Sequence, residues 1–479
     1  MSTKTKTMIS NSKETNKNEE HSKFVIKFAN TVFVLGILFL LLLTMYAAYR
    51  VISNSEHTST LYYSFIIFGL LSSALLGLGL WKLSNELKLN ISILLITGAI
   101  SVFVLEASLQ YYSKISKQSI LEKMGEQAGV PYDTRTKMEL LENLKDTGID
   151  VYPNLNPYTL LESNGLSTPN GKIFPLGGIP NVTSVGSNES GYYSVYETDE
   201  HGFNNPKGLY EINKVDILMA GDSFTEGNAV HPDENISAVL RESGFNVINI
   251  GKGGNGPLIE LASLKEYAEP LKPKIVLWTY YVNDSENVLI EMQSPLLQNY
   301  LNDDEFSQNL FSRQEEIRSS MVDYVQGEWD KERWVNHRVF KILKLYDLRL
   351  ILNLMPASKP EAFLPMPITK TNQNIFKDIL QKSKQIVSGG GMKMYFIYLP
   401  SFNRYSTGVE HINREFVLDA VNKLGIPIID IHNEVFVSHK DPLSLFPFRI
   451  SNHYNAKGYR LVAEAINKRL KSDGIIPLN

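Results

Sequence analysis

The sequence contains no cysteine, and its charges nearly cancel. The absence of cysteine among 479 residues excludes disulfides, thiol nucleophiles and thiolate metal sites. The 47 basic and 51 acidic residues leave a net charge of -4, which argues against a nucleic-acid-binding surface. His201, His231 and His432 lack the H-x-x-x-H or carboxylate spacing of a metal site. We therefore expect no metal ion, no cofactor and no nucleic-acid partner.

Long hydrophobic runs are concentrated in the first quarter of the chain. Residues 1–23 are polar and rich in lysine, which predicts a disordered tail. Three apolar runs that follow are each long enough to cross a hydrocarbon core as one helix. They are residues 28–49, 61–81 and 91–112. Residues 24–112 are therefore predicted to be a membrane anchor with three transmembrane helices. Glu106 lies near the far end of the third run, where an interfacial position is favoured over a proton relay.

The basic residues of the short loops predict the orientation of the anchor. Six lysines occur up to Lys27, and Lys82 and Lys88 flank the second turn, whereas the first turn has only Arg50. The positive-inside rule then places the N-terminus in the cytoplasm and everything after about residue 113 outside it. The lack of cysteine suits such an extracytoplasmic domain. If only two runs cross the membrane, the remainder of the chain is cytoplasmic instead.

The last part of the chain alternates β-rich apolar runs with helix-like segments. Five runs are almost continuously apolar, as strands buried on both faces of a parallel sheet must be. They are residues 215–220, 245–250, 274–282, 392–399 and 426–431. Residues 213–479 are thus predicted to be an α/β domain, a five-stranded parallel sheet with flanking helices and a helical insertion at about 291–369. The Pro-, Gly- and Asn-rich residues 113–212 are predicted to be an extracytoplasmic lead-in that packs on this domain.

Four candidate site residues are predicted to lie where strands end, at the edge of a parallel sheet that forms ligand sites. Ser223 follows the first run, Gly254 the second and Asn283 the third, and His453 precedes the final helix. A serine nucleophile needs a base and donors for the developing oxyanion. His453 is the candidate base. The backbone N–H groups of Ser223 and Gly254 and the side-chain amide of Asn283 are the candidate oxyanion hole.

The order of these motifs resembles the SGNH (GDSL-type) hydrolase and acyltransferase superfamily. The motifs are G-D-S, a glycine in an N-x-G-x-x-G turn, N-D, and a histidine before the last helix, and they cover residues 213–479. The resemblance implies a flavodoxin-like three-layer domain, with Asp222 and Asp284 in supporting roles. The upstream "ETDEHGFNNP" resembles the lead-in of membrane-anchored or exported members, whose targets are often cell-surface polysaccharides.

Two positions depart from the pattern of that superfamily. An Asp commonly stands two or three residues before the histidine, but Ser451 and Ile450 occupy those positions here. Two alternatives for the third member of the triad stay open: a Ser-His dyad oriented by a backbone carbonyl, or Asp441 reaching the imidazole. Val282 stands before Asn283 where glycine is usual, and this substitution narrows the expected pocket.

A purely structural interpretation competes with the catalytic one at the serine. Ser223 and Glu226 fit the S-x-x-E pattern of a capping box, which by itself indicates only a helix start. The four motifs in order, each in its predicted context, favour chemistry instead.

The resemblance and the anchor together imply a membrane-tethered serine esterase. We expect its substrate to be an O-acyl ester, chiefly an O-acetyl ester, of a cell-surface glycan or a lipid-linked glycan. The ester is expected to be cleaved through an acyl-enzyme. Two alternatives stay open. One is an O-acetyltransferase that modifies an extracytoplasmic polysaccharide with a membrane-bound acyl-donor partner. The other is a non-catalytic glycan-binding or scaffold protein. In each case we expect an integral protein of a bacterial-type membrane with its last domain outside the cytoplasm.

Overall fold

The chain folds into two compact units in a computed structural model. The structure describes residues 3–53, 59–212, 214–336, 338–351, 369–409, 412–450 and 453–477. The first unit comprises Met1–Tyr112 and Arg338–Met355, and the second comprises Ser113–His337 and Pro356–Asn479. The helical insertion predicted after the third strand of the sheet is therefore divided, because Arg338–Met355 belong with the first unit and the rest of it with the second.

The first unit contains the three predicted membrane helices, the third of them as far as Tyr112. They are α1 (Thr3–Ser53), α2 (Ser59–Lys82) and α3 (Asn85–Ala128). Each contains a stretch long and apolar enough to cross a membrane, so the prediction of three such helices is confirmed. The disordered tail is not what the structure has, because α1 already begins at Thr3. Residues 1–23 contain neither proline nor glycine, so a helix nucleated by the apolar run extends backwards at little cost.

The lead-in segment of the second unit carries one helix and five short strands. They are α4 (Lys137–Asp146), β1 (Val151–Pro153), β2 (Leu166–Thr168), β3 (Gly171–Ile173), β4 (Thr183–Val185) and β5 (Val195–Glu197). Strands β2 and β3 form an antiparallel hairpin, while β4 pairs with β1 in parallel and with β5 in antiparallel fashion. Ile173 and Phe174 share one buried hydrophobic cluster with Leu218 and Trp278, which lie in the region of the predicted parallel sheet. The lead-in and that region therefore have a common core.

The predicted five-stranded parallel sheet is confirmed. Its strands are β6 (Ile217–Ala220), β7 (Val247–Asn249), β8 (Ile275–Tyr280), β9 (Lys393–Tyr398) and β10 (Ile428–Asp430). They lie in the order β7-β6-β8-β9-β10, and all neighbours are parallel. Every residue of β6, β7 and β8 is buried, as the nearly continuous apolar runs require for strands covered on both faces.

Helices connect the strands and cover the sheet. They are α5 (Ser223–Glu226), α6 (Ile236–Glu242), α7 (Pro257–Ser263), α8 (Glu269–Leu271), α9 (Asp284–Glu291), α10 (Pro295–Asn302), α11 (Gln314–Asn336), α12 (Arg338–Leu343), α13 (Tyr346–Ile351), α14 (Lys370–Gly389), α15 (Phe402–Ser406), α16 (Arg414–Lys423) and α17 (Ala456–Ser472). The chain passes from β6 to β7 at one edge and then returns to β8 on the other side of β6. This reversal of strand order opens a crevice at the carboxyl ends of β6 and β8, where ligands bind in such sheets.

Candidate active site

Ser223 lies at the first turn after β6. It is the first residue of α5, and Asp222 is the N-cap, whose carboxylate accepts the backbone N–H of Phe224 at 2.9 Å. Gly227 ends the helix after one turn with φ +86°. The cap is thus supplied by Asp222 and the Ser223 hydroxyl is available for another partner. The capping-box interpretation of Ser223 with Glu226 is wrong, because the Glu226 carboxylate is bound elsewhere, as described below.

The hydroxyl of Ser223 is hydrogen-bonded to the imidazole of His453. The Ser223 Oγ and His453 Nε2 atoms are 2.6 Å apart, although the two residues are 230 positions apart in sequence. His453 stands just before α17, and the ring of Phe224 lies 4.7 Å from the imidazole, centroid to centroid. The neighbouring Tyr454 hydroxyl donates to the carbonyl of Pro400 at 2.6 Å. The imidazole is therefore held where it can accept the serine proton.

Glu189 supplies the carboxylate that the sequence analysis did not find. Its Oε2 lies 2.8 Å from His453 Nδ1 and also accepts the backbone N–H of His453 at 3.0 Å. Asp441, the carboxylate predicted as an alternative, instead forms a two-bond ion pair with Arg449 on the protein surface, at 2.6 and 2.9 Å. Ile450 is exposed and Ser451 lies outside the described residues. In place of both predicted alternatives, the structure thus has a carboxylate from the lead-in, Glu189, beside the imidazole.

The loop between β4 and β5 fixes Glu189 from both sides. The Asn188 side-chain amide donates to the backbone carbonyl of Asp133 at 2.6 Å, and the backbone carbonyl of Asn188 accepts the Tyr132 hydroxyl at 3.0 Å. The Ser190 hydroxyl donates to the carbonyl of Ala229 at 2.5 Å. These contacts position Glu189 against the imidazole before any substrate binds.

His453 and Glu189 shift each other's pKa in opposite directions. Burial by itself lowers the pKa of His453, but the charge and hydrogen bond of Glu189 outweigh it and raise the pKa above its ordinary value of 6.5. Burial likewise raises the pKa of Glu189, but His453 lowers it below its ordinary value of 4.5 by charge and hydrogen bonds. The carboxylate of Glu189 therefore stabilises a protonated imidazole at His453.

Gly254 and Asn283 follow β7 and β8 at the same edge of the sheet. Gly254 has φ +74°, and a Cβ added there would lie 3.0 Å from the Cβ of Tyr158, so the position suits glycine alone. Asn283 immediately precedes α9 without using its side chain as a cap. The side chain of Asn287, on α9, donates to the carbonyl of Gly254 at 3.3 Å, which ties the two loops together.

Buried carboxyl groups accept backbone N–H groups of these loops. Asp284 accepts the backbone N–H of Tyr281 at 2.9 Å, and Glu291 accepts those of Gly256 and Leu258 at 2.6 and 2.9 Å. Burial raises the pKa of Asp222 to about 6 and that of Glu291 to about 7. Burial also raises the pKa of Asp284 well above its ordinary value. Asp222 and Asp284 thus make the loop-supporting contacts described here, and neither is hydrogen-bonded to the imidazole as Glu189 is.

Three of the residues singled out in the sequence, Ser223, Gly254 and Asn283, follow three neighbouring strands of the sheet. The fourth, His453, precedes the last helix and is in contact with Ser223. The contact of Ser223 with His453 is the one that the resemblance to SGNH (GDSL-type) hydrolases implies.

Comparison with known proteins finds only weak similarities, all of them to solved structures. No protein-family profile and no curated protein matches the chain. A two-domain esterase active on acetylated mannans matches with a TM-score of 0.31 and 14% identity. The match covers 54% of this chain and 49% of the esterase chain. A lipase/acylhydrolase from Enterococcus faecalis has a TM-score of 0.32 and 15% identity over 55% and 99% of the two chains. An acetyl xylan esterase has a TM-score of 0.30 and 13% identity over 53% and 100%. This chain thus covers about half of the first of these structures.

A buried ion pair fixes the loop that carries Gly254 in the candidate site. Glu226 Oε1 lies 2.6 Å from Lys252 Nζ, and both side chains are fully buried. The same oxygen accepts the Asn154 amide and the Tyr196 hydroxyl, each at 2.9 Å. Glu226 Oε2 accepts the backbone N–H of Gly253 at 2.8 Å. Burial by itself raises the pKa of Glu226, but Lys252 outweighs it and lowers that pKa, so the carboxylate is ionised.

Replacing Glu226 with glutamine is expected to lower kcat by about 10- to 100-fold with little change in KM. The loss approaches that of removing one oxyanion donor, because the backbone next to Gly254 is no longer fixed. Removing one partner of a buried pair also destabilises the fold by about 3–5 kcal/mol. Both quantities are measured by steady-state kinetics and thermal unfolding of the full-length protein.

The double variant E226Q/K252M separates positioning from stability. It removes the unpaired Lys252 charge and is expected to recover much of the lost stability, because an apolar side chain replaces a buried ion. The kcat is expected to stay low, since the bond to Gly253 is still weakened. A double variant with full wild-type kcat would show that the pair contributes only to folding.

Proposed function

We propose that the chain is a membrane-tethered serine esterase that removes O-acyl groups, chiefly acetyl, from a cell-surface glycan or lipid-linked glycan. The observation that carries this proposal is the continuous hydrogen-bonded series from Ser223 through His453 to Glu189, with distances of 2.6 and 2.8 Å. Such a series activates a hydroxyl that is otherwise a poor nucleophile. Three apolar helices support membrane tethering, and the distribution of lysines supports an extracytoplasmic catalytic unit.

In the proposed mechanism the Ser223 Oγ attacks the ester carbonyl while His453 Nε2 takes the serine proton. Glu189 holds the proton on Nδ1 and stabilises the imidazolium. The backbone N–H groups of Ser223 and Gly254 and the Asn283 amide donate to the oxyanion. The proton on Nε2 then passes to the departing sugar oxygen, which leaves an acyl-enzyme on Ser223. Water attacks this ester with His453 as base, so that the acid is released and the serine regenerated.

The surroundings of Gly254 favour a small acyl group. The first atoms of the Tyr158 side chain are so close to Gly254 that a Cβ there would lie 3.0 Å from the Tyr158 Cβ. Val282 stands beside Asn283 where the superfamily usually has glycine. The Tyr158 side chain reduces the room next to Gly254, and valine is a larger residue than the usual glycine beside Asn283. An acetyl group fits this restriction better than a long acyl chain does.

The proposed activity is tested by the release of acetate from O-acetylated glycans by the full-length protein in lipid nanodiscs. We expect release from acetylated xylan or mannan, and kcat/KM for a p-nitrophenyl acetate at least about 10-fold above that for the octanoate, because a pocket discriminates by added methylenes. A preference for octanoate would contradict the restriction at Gly254.

The same assay separates hydrolysis from transfer. An unacetylated acceptor glycan is added, and its mass and the free acetate are both measured. Free acetate as the main product supports the esterase. Acetyl groups accumulating on the acceptor faster than acetate is released would make the protein an O-acetyltransferase instead.

A further inference from the structure

Part of the long insertion after β8 belongs to the unit of the membrane helices. This segment, Arg338–Ile351, consists of α12 and α13 joined by Lys344 and Leu345, and Leu345 has φ +49°. We refer to it as the insertion helix pair. Nothing in its sequence makes it a transmembrane helix, because each of its helices has six residues.

The carboxylate of Glu106 on α3 binds backbone N–H groups of the insertion helix pair. Its two carboxylate oxygens accept the N–H groups of Asp347 and Leu348, each at 2.9 Å. The side-chain amide of Gln110 donates a third hydrogen bond, also 2.9 Å long. Glu106 is fully buried. A carboxylate within a membrane helix is costly unless it is partnered, and the helix pair supplies two of its three donors.

The position of Glu106 along α3 places this contact near one surface of the bilayer. The apolar run 91–112 is about 33 Å long as a helix, close to the roughly 30 Å thickness of a hydrocarbon core. Glu106 lies six residues before Tyr112, which corresponds to about 9 Å. Tyr111 and Tyr112 are exposed at that end, as in the aromatic belt of membrane proteins. Helices that lie in the interface reach a similar depth, about 5–10 Å.

The surface of the insertion helix pair combines exposed apolar side chains with basic ones. Val339, Leu343, Leu350 and Ile351 are between 41% and 59% exposed. Among the fourteen residues there are four basic side chains and only one acidic one. Large apolar side chains left in water are unfavourable, whereas apolar and basic residues together are typical of segments bound to the surface of an anionic bilayer.

We propose that the insertion helix pair is an interfacial membrane element docked on α3 through Glu106. Its exposed apolar side chains insert among the acyl chains next to the headgroups, and Lys341, Lys344 and Arg349 lie near lipid phosphates. Since the chain continues from this pair into the second unit on both sides, the catalytic unit is tethered to the bilayer by its own insertion as well as by α3.

Single cysteines test this proposal cleanly, because the chain has none of its own. Full-length V339C, L343C and I351C are labelled with the fluorophore NBD in nanodiscs of phosphatidylcholine and phosphatidylglycerol. We expect blue-shifted emission and at least about twofold quenching by lipids with a doxyl group near the headgroup end of the acyl chain. V437C is the matched control, since Val437 is a valine of the second unit that is 64% exposed, against 52% for Val339, and it is expected to show neither effect.

Two results would overturn the proposal. Probes on the helix pair that resemble the probe at Val437 would show that the pair faces water. A blue shift without doxyl quenching would show that protein, such as a second copy of the chain, covers it. The docking role of Glu106 is tested by E106A in the L343C background, where we expect weaker quenching; unchanged quenching would show that the hydrogen bonds to Asp347 and Leu348 do not position the pair.

Discussion

Replacing Ser223 with alanine is expected to lower kcat for ester hydrolysis by about 10⁴-fold or more, because no acyl-enzyme can form and only the oxyanion donors and binding contacts are left. The fold is expected to be unchanged, since Asp222 and not the serine side chain caps α5. The two measurements are kcat with an aryl acetate and covalent labelling by a fluorophosphonate. Wild-type protein should be labelled, and S223A should not.

The matched control for this variant is S472A at the end of α17. Ser472 donates only to the carbonyl of Arg469 and to the Asp473 carboxylate on the surface, so wild-type rate and labelling are expected. Labelling that persists in S223A would identify another residue as the nucleophile. Absence of labelling in the wild type, with a folded protein, would favour the alternative of a non-catalytic glycan-binding or scaffold protein.

Much of this fold could be predicted because its signals are local. The five strands of the main sheet are short apolar runs, and burial on both faces leaves them with no alternation to obscure the pattern. Ser223, Gly254 and Asn283 each follow such a run within a few residues, so a parallel sheet necessarily brings them to one edge. The membrane helices are equally local, since length and apolarity alone define them.

The third member of the hydrogen-bonded series could not be predicted in the same way. Glu189 lies 264 positions before His453, in a loop of the lead-in with no pattern of its own. Its role depends on which short strands pair in the lead-in, which is a property of tertiary packing. The one available signal was negative: Ile450 and Ser451 stand where an Asp is usual, so the acid had to come from elsewhere. Asp441 is the nearest carboxylate before His453 in sequence, but it is paired with Arg449 on the surface.

The same limit applies to Glu226 and to the insertion. The S-x-x-E pattern around Ser223 describes a helix start, and nothing in it indicates that Glu226 binds Lys252 across the loop after β7. The insertion has helical spacing throughout, but that spacing does not show which part packs with the membrane helices. In both cases the partner is chosen by contacts between segments distant in sequence.

Replacing Glu189 with glutamine is expected to lower kcat by about 10²- to 10⁴-fold, a smaller loss than that expected for S223A. An amide can donate its N–H to Nδ1 and thereby favour the tautomer in which Nε2 carries the proton and cannot act as a base; the corresponding change in a serine protease costs about 10⁴-fold. The side chain of Glu189 is about one-fifth exposed, so water can partly replace it. Single-turnover acylation by an aryl acetate measures the loss directly.

The pH profile distinguishes this positioning role from a merely structural one. His453 must be neutral to accept the serine proton, so the activity of the wild type falls as the pH drops through the pKa of His453, which Glu189 raises above 6.5. Without the negative charge that pKa falls, and the acid limb of kcat/KM should move to lower pH in E189Q. E189D keeps the charge on a shorter arm and should recover part of the rate with the acid limb near that of the wild type.

D441N is the control for E189Q, because Asp441 was the carboxylate that sequence position favoured and its ion pair with Arg449 lies apart from the imidazole. It should leave both kcat and the acid limb unchanged. If E189Q instead kept the wild-type rate and D441N lost it, the Ser223 and His453 pair would depend on a carboxylate other than the one that touches it. A wild-type rate in both variants would mean that Ser223 and His453 act as a dyad. Glu189 would then serve only to join the lead-in to His453.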